Sequence, residues 1–572
     1  MKKSLFFVPL FMAAFASCTN EDTVSEPVAE TGTSFLSVNL VNTPSMGTRA
    51  TEDAENYEDG TATENDVKSI RFYFFDKDKK AVKVKGNGTL SHLDLPSTDG
   101  STIETGEGSS PNVEKTINAT LVIETPKGDN IPTSIIAVLN PTENLKKADI
   151  TSIDDLNEQI EAYNKNGGFV MSNSVYAKGA GENVSKMEEV SVAGHLYENR
   201  ETALSNPVDI YVERVLAKVR VHNGLTPVEG KDGIYSTGVD KYNNAYTYGG
   251  KTIYVKFLGW NVTATADKSR LMKEINPAWA DNLFGSEAWN YSPYFRSFWA
   301  VNPTGVEYNY FAFNKGDDEK GANCLPLVSG TDKTAYSYTY VQENAAKDYT
   351  TGANADTPTQ VIIAAQLVDE NGNAMEFAEW AGIKYSIEDL KTAMLAQSNL
   401  YRKVVTETET KYEPITVDDV ELKTATAAEY VPETGAPRRY RTYLKLIEGK
   451  ESETWTSGNE EGASTVDANT VLQNLGSAKV WKSGYTYYYF PIQHLATPPM
   501  TDDVVNTGAY GVVRNHLYDA NITTLAGLGT PVYDPEETIY PEKPEVDETY
   551  IAAKINILSW RLVKQNISLD WK

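Results

Sequence analysis

The stretch Val208-Asp-Ile-Tyr-Val-Glu-Arg-Val-Leu-Ala-Lys-Val-Arg-Val221 decides the fold class. Apolar and polar residues alternate along it, the period of a half-buried β-strand rather than of a helix. It follows Asn206-Pro207, which interrupts regular structure and sets an expected domain boundary near Pro207. The same reading recurs on both sides. Upstream, Lys68–Phe75 is apolar and aromatic and stops at Asp76-Lys77-Asp78. Ala119–Glu124 and Ser134–Leu139 are two more strands, the second closed by Asn140-Pro141. Downstream, strands are expected at Ile253–Trp260, Tyr336–Val341, Gln360–Val368, Arg438–Leu446, Gly484–Phe490 and His516–Ile522. Asn371-Gly372 after the third of these is a hairpin signal. One helix is expected behind Ser152, with Asp155 completing a capping box and Leu156, Ile160 and Tyr163 on one face. A second starts at Ser386. Strands dominate and βα alternation is absent, so the expected class is all-β with a few short helices, arranged as β-sandwiches.

Composition narrows the function. The chain has 572 residues, with 52 Lys+Arg against 79 Asp+Glu and a net charge of −27. Such a balance disfavours nucleic acid, which needs clustered Lys and Arg, and electrostatic docking on anionic lipid. Two cysteines exclude a disulfide scaffold and a cysteine-based zinc site. The five histidines (His92, His195, His222, His494, His516) form no HExxH. No GxSxG, phosphate-binding loop or dinucleotide fingerprint is present, and Asp317-Asp318-Glu319 lacks the spaced oxygens of a calcium loop. No catalytic residue, metal or cofactor is therefore assigned. Cys324 reads as a buried, inert thiol. Tyr485, Tyr487, Tyr488, Tyr489 and Phe490 are read as core and sheet surface in preference to a sugar platform.

The N-terminus reads as an address. Lys2 and Lys3 precede the apolar run Leu5–Phe15, too short to span a bilayer but suited to a secretory signal. Phe15-Ala16-Ser17-Cys18 resembles a bacterial lipobox, which makes Cys18 the lipidated residue of a lipoprotein. The acidic pair Glu21-Asp22 resembles the surface-export tag of Bacteroidetes lipoproteins. Residues 19–33 are polar and read as a tether. In Phe35–Val41, Leu36, Val38 and Leu40 share one face of a strand. Arg49 follows in a loop ahead of the acidic stretch 51–66, where a trypsin-like protease could cut.

At the other end, 530–549 carries four prolines among seven acidic residues and reads as an extended, semi-rigid linker. Two strand patterns follow. Ile551, Ala553, Ile555 and Ile557 share one face. Val563, Ile567, Leu569 and Trp571 share another, interrupted by Gln565. On pattern alone, the second strand pairs within its own domain.

These parts, in order, resemble the Bacteroidetes fimbrillin superfamily of type V pili, most of all the major subunits of the short (minor) fimbriae. Ile70–Asp76, Ile136–Asn140, Val212–Val219, Gly259-Trp260-Asn261 and Tyr340–Asn344 are similar to the family's strands. The most specific stretches are Tyr510–Tyr518 with Gly527–Pro531, and Ala553–Trp560. The insertions 317–333 and 450–474 are not covered by the resemblance.

The resemblance implies two β-sandwich domains of transthyretin-like, Greek-key type. It implies this division: signal peptide 1–18 with lipidated Cys18, propeptide tether and removable strand 19–49, N-terminal domain 50–206, C-terminal domain 207–530, linker 531–549, and strands 550–572. An Arg-specific protease would cut between Arg49 and Ala50 and release the strand carrying Leu36, Val38 and Leu40. The donor strand that refills the slot would come from the next copy, around Val563, Ile567, Leu569 and Trp571, or else from Ile551–Ile557. Implied partners are copies of itself in a fibre, accessory anchor and tip subunits, the protease, and the outer membrane through the precursor's lipid. The implied function is a structural subunit of a cell-surface fimbria supporting adhesion. The competing reading is a non-polymerising surface lipoprotein, acting as a tip adhesin or glycan-binding protein.

Overall fold

A computed structural model describes residues 33–42, 60–85, 89–96, 102–107, 115–124, 131–164, 168–173, 189–274, 302–313, 324–344, 358–424, 442–492, 511–536, 538–539, 550–558 and 563–564. Strands dominate them, with five short α-helices: α1 (Glu143–Lys147), α2 (Ile153–Asn157), α3 (Arg200–Ser205), α4 (Ile387–Leu395) and α5 (Ala468–Asn474). The all-β class with a few short helices holds.

The first sheet is built from β1 (Thr33–Asn42), β2 (Ile70–Phe75), β3 (His92–Leu95), β4 (Thr102–Glu107), β5 (Lys115–Glu124), β6 (Ser134–Leu139), β7 (Met171–Asn173) and β8 (Val208–Arg214). Their order is β3-β2-β6-β7-β8-β1-β5-β4, with Val190–Ser191 added beside β6. Phe72 and Ile135 from one half of the sheet share a core with Leu36, Leu121 and Val212 from the other. The sheet therefore wraps over itself to enclose that core.

The second region uses β9 (Leu216–Asn223), β10 (Tyr254–Thr263), β11 (Tyr338–Gln342), β12 (Gln360–Val368), β13 (Tyr485–Pro491), β14 (Leu517–Ala526), β15 (Tyr550–Leu558) and β16 (Val563–Lys564). β9, β14, β15 and β16 are consecutive neighbours in a six-stranded sheet, with β11 on the other side of β9. β10, β12 and β13 are consecutive in a five-stranded sheet. Val219, Ala520 and Ile522 from the first of these sheets meet Val361, Ile363 and Tyr488 from the second in one core.

Three expectations change. The stretch Val208–Val221 is two strands, not one. Val208, Ile210 and Val212 bury into the first core, whereas Ala217, Val219 and Val221 bury into the second. Inward positions switch from even to odd numbers as the chain passes from the first core to the second. At the switch, the Val215 N–H leaves the ladder and donates to the Val170 carbonyl at 3.0 Å. The crossing between the sheets thus lies at Val215, beyond Pro207. The helix behind Ser152 has its cap, with the Asp155 carboxylate accepting from the Ser152 N–H at 2.8 Å. It ends at Asn157, however, because Ile160 and Glu161 pair with Arg270 and Ser269 in a short ladder. The range 207–530 holds an additional core between β12 and β13, where Ala378, Leu390, Leu422, Leu444, Trp455 and Leu472 cluster.

The start of the expected 531–549 linker is also built into the fold. Thr530–Pro531 pairs with β13, Thr538–Ile539 pairs with Phe311–Ala312, and Val532 and Ile539 are buried. Apolar residues placed between the prolines give that segment a surface to bury. Residues 541–549 lie outside the described residues.

Candidate functional site

β1 occupies an interior lane. It pairs antiparallel with β5 along its whole length, from Thr33 opposite Glu124 to Asn42 opposite Lys115. On its other side it runs parallel to β8, from Val38 opposite Val208 to Asn42 opposite Val212. This is the one parallel contact along that sheet's strand order. Ahead of β8, Tyr197 takes over the same edge. The Phe35 N–H donates to the Tyr197 carbonyl at 2.7 Å, and the Tyr197 N–H donates back at 2.9 Å. Leu36, Val38 and Leu40 point inward and are at most 1% exposed. Full burial of such side chains is worth about 1.5 to 3 kcal/mol each. A void of about 10 Å³ lies beside Leu40, walled by Asn65, Val67, Ile117, Leu139, Met171 and Val212. It is about the size of one water, and its walls are apolar apart from Asn65.

At the other end, both expected donor strands meet the home sheet, Val563 included. β15 pairs antiparallel with β14 from Leu558 opposite Leu517 to Tyr550 opposite Ala526. Ile551–Ile557 is therefore spent in the home sheet. β16 folds back on β15, with Val563 opposite Ile557 and Lys564 opposite Asn556. Cys18, Arg49, Ala50, Ile567, Leu569 and Trp571 lie outside the described residues.

A buried ionic joint links the first sheet to the second, and sequence reading missed it. Glu64 is fully buried, and its carboxylate lies 2.8 Å from the Lys218 Nζ on β9. It also accepts from the Thr61 N–H at 2.6 Å and from the Tyr340 hydroxyl on β11. Burial pushes this carboxyl upward, but Lys218 and Tyr340 pull harder and hold it below the ordinary range. Arg214, at the end of β8, donates to the Glu64 carbonyl at 3.1 Å and to the Asn515 side chain at 3.2 Å, and also contacts Asn65. Beside it, the Arg514 Nε donates to Glu343 at 2.7 Å, and its Nη atoms donate to the carbonyls of Leu271 and Arg270. The signal was present in two separate motifs. Tyr340–Asn344 and Tyr510–Tyr518 converge here, where Asn344 and Val512 exchange backbone hydrogen bonds at 2.9 and 3.1 Å.

The aromatic run faces inward: Tyr485, Tyr487, Tyr488 and Phe490 are buried. The Tyr488 hydroxyl donates to the Gly527 carbonyl at 3.0 Å. Gly529 in the same motif has φ +70°, and a Cβ there would strike the Thr486 hydroxyl and sit 2.9 Å from the Tyr487 carbonyl oxygen. Burial pushes the Cys324 thiol up to about 12. Among the described residues, no three His, Cys, Asp or Glu side chains gather as a metal site would need.

The arrangement defines a class: a β-rich protein with an interior strand near its N-terminus and its own penultimate strand kept at home. Residues 479–566 match the family described as major fimbrial subunit protein type IV, fimbrillin, C-terminal. That range includes β13, β14, β15 and β16, and over it the chain is similar to the fimbrillin C-terminal family. Similar solved structures include a fimbrilin from Porphyromonas gingivalis W83, at 12% identity, covering 93% of this chain and 98% of that one with a TM-score of 0.37. A proposed cell adhesion protein from Parabacteroides distasonis ATCC 8503 shares 13% identity over 92% and 97%, with a TM-score of 0.36. The tip fimbrial protein Mfa3 from Porphyromonas gingivalis, truncated at its C-terminus, shares 12% over 92% and 100%, with a TM-score of 0.29. These scores are below 0.5, so the likeness to fimbrillins rests on the sequence match over residues 479–566. No curated protein matches the chain.

Proposed function

We propose that this chain is a structural subunit of a cell-surface fimbria that polymerises by strand exchange and supports adhesion. It is exported as a lipoprotein on Cys18 and cut between Arg49 and Ala50. β1 then leaves its lane, and the C-terminal segment of another copy, past the home-paired Val563 and Lys564, refills it. The fimbrillin match supports the fibre. The observation that carries the exchange is the position of β1. An interior strand with Leu36, Val38 and Leu40 fully buried leaves an apolar slot with two unpaired backbone edges once it departs. Such a slot binds an extended segment by strand addition. Ile551–Ile557 is held by β14, whereas the second strand pattern is paired at home only at Val563 and Lys564, which favours the segment past Lys564 as the donor.

The test is electron microscopy of cells producing the chain, with N-terminal sequencing of recovered fibres. Fibres starting at Ala50 support the proposal. Surface-exposed protein without fibres supports the tip or glycan-binding alternative, and fibres that retain β1 overturn the exchange.

A further inference from the structure

We propose that Lys273 and Glu213 are joined by an intramolecular amide bond, formed between the lysine Nζ and the glutamate side-chain carboxyl of one chain. Both side chains are out of solvent, at most 1% exposed. The Lys273 Nζ lies 3.5 Å from the Glu213 Oε1 and, among the described residues, has no hydrogen-bond partner. The other buried pairs differ. Lys218 lies 2.8 Å from Glu64, Arg514 lies 2.7 Å from Glu343, and Arg220 donates to both oxygens of Asp519 at 2.9 Å. An ammonium in the position of Lys273 has given up water without gaining a hydrogen bond in return, which is costly. An amide in its place takes both charges out of the interior. That gain is absent in water, where the two ions are solvated and condensation is unfavourable.

The backbone holds the two groups together. Glu213 lies on β8 opposite Ser172 of β7, on the face turned away from the core that holds Val212. The segment carrying Lys273 crosses that face and is pinned at several points. The Ser172 hydroxyl donates to the Leu271 carbonyl at 2.9 Å, and an Arg514 Nη donates to the same carbonyl at 2.8 Å. The Leu271 N–H donates to the Gln159 carbonyl at 2.9 Å, and Ser269 and Arg270 pair with Glu161 and Ile160. Anchors this close in sequence fix the start of the Lys273 side chain. Orientation entropy is thus spent in folding and not in the reaction, and burial keeps out the water that would reverse it.

The step is a condensation. A proton passes from the ammonium to the carboxylate, and the freed amine lone pair attacks the carboxyl carbon. A carbon–nitrogen bond forms, a carbon–oxygen bond breaks, and the departing oxygen leaves with two protons as water. Nothing is oxidised or reduced, and no co-reactant is needed. The bond ties the first sheet covalently to a segment that Arg514, beside β14, grips through the carbonyls of Arg270 and Leu271. Force on one sheet would then reach the other through a covalent link as well as through the buried ion pairs.

The test is tryptic peptide mapping of the full chain by mass spectrometry, after folding and then denaturation, which separates an ion pair but not an amide. Trypsin cuts after Lys and Arg, so unlinked side chains give the linear peptides 201–214 and 271–273. The bond blocks cutting at Lys273. It gives one branched peptide made of 201–214 and 271–296, lighter than the sum of the two by one water. The branched peptide is expected in place of the linear ones. In Lys273→Arg, which keeps the positive charge but has no amine to condense, the branched peptide should vanish and linear 201–214 should return. Linear 201–214 and 271–273 from the native chain, with no branched peptide, overturn the bond and leave an ion pair. A branched peptide that persists in Lys273→Arg puts the link on another residue and overturns the assignment as well. The map of the native chain decides the question even if Lys273→Arg does not fold.

Discussion

The Glu64 carboxylate and the Lys218 ammonium lie 2.8 Å apart with both side chains out of solvent, and they join the segment ahead of β2 to the first strand of the second sheet. Removing one partner of such a pair strands a buried charge. Glu64→Gln should therefore lower unfolding stability by about 3 to 5 kcal/mol. Replacing both residues with methionine should cost much less. Guanidinium unfolding of the soluble protein measures both, and equal losses would show that the pair itself, not the stranded charge, carries the stability.

The same carboxyl gives a pH dependence of known sign. Its folded-state pKa is below the ordinary value. Its contribution is thus present above the unfolded pKa of about 4.3 and lost as pH falls through the lower folded value. The stability gap between the native chain and Glu64→Gln should be constant at neutral pH and narrow below about pH 4. A gap that narrows on the alkaline side would contradict the assignment.

Gly529 sits at φ +70° where a methyl group would strike Thr486, whose hydroxyl oxygen lies 2.7 and 2.9 Å from the Leu528 and Thr530 carbonyl oxygens that share its one proton. Gly529→Ala should cost about 1 to 3 kcal/mol by strain, read as a lowered thermal midpoint. Gly462, at φ +95°, has an open surround, so Gly462→Ala meets backbone strain without the clash and should cost less.

Strand identity was legible where apolar runs met clear stops. Ser134–Leu139 and Gln360–Val368 are found with the bounds expected, and Ser386 caps α4 through the Asp389 N–H at 3.0 Å. What escaped was three-dimensional. The slip in phase between Val212 and Ala217 is visible as letters, but its meaning depends on two cores. Glu64 stands among acidic residues of an unremarkable segment, and only the convergence of Lys218 and Tyr340 makes it a joint. The pairing of β15 with β14 likewise comes from topology, since Ile551–Ile557 and the strand after it have similar patterns.

β1 should matter to the precursor and not to the fibre. Val38→Ala removes two methyl groups from a fully buried site and should destabilise the uncut chain by about 1 to 3 kcal/mol. If strand exchange operates, fibres made from it should be as stable as those of the native chain, because β1 would be absent from them. In Arg49→Ala the strand stays, and the expected product is a folded, lipidated monomer without fibres. Long fibres from Arg49→Ala would show that β1 does not block assembly.

Truncation after Trp560 should abolish assembly and leave a folded monomer. It removes β16, which pairs with β15 at only two positions, and the segment carrying Ile567, Leu569 and Trp571. The home sheet keeps β15 on β14, paired from Leu558 opposite Leu517 to Tyr550 opposite Ala526. The loss in monomer stability should therefore be small, within about 1 to 2 kcal/mol for two ladder hydrogen bonds. The loss in assembly should be complete. Three side chains entering the slot contribute roughly 4.5 to 9 kcal/mol as an upper estimate, and ladder bonds along β5 and β8 add about 1 kcal/mol each. Ordering the incoming residues costs about 1 to 2 kcal/mol apiece, so the balance favours exchange only into a slot already shaped, as the one around β1 is. A truncated chain that melts cooperatively close to the native midpoint and forms no fibres is the expected result. A truncated chain that aggregates or melts many degrees lower would place those residues in the home sheet and remove the donor from this account.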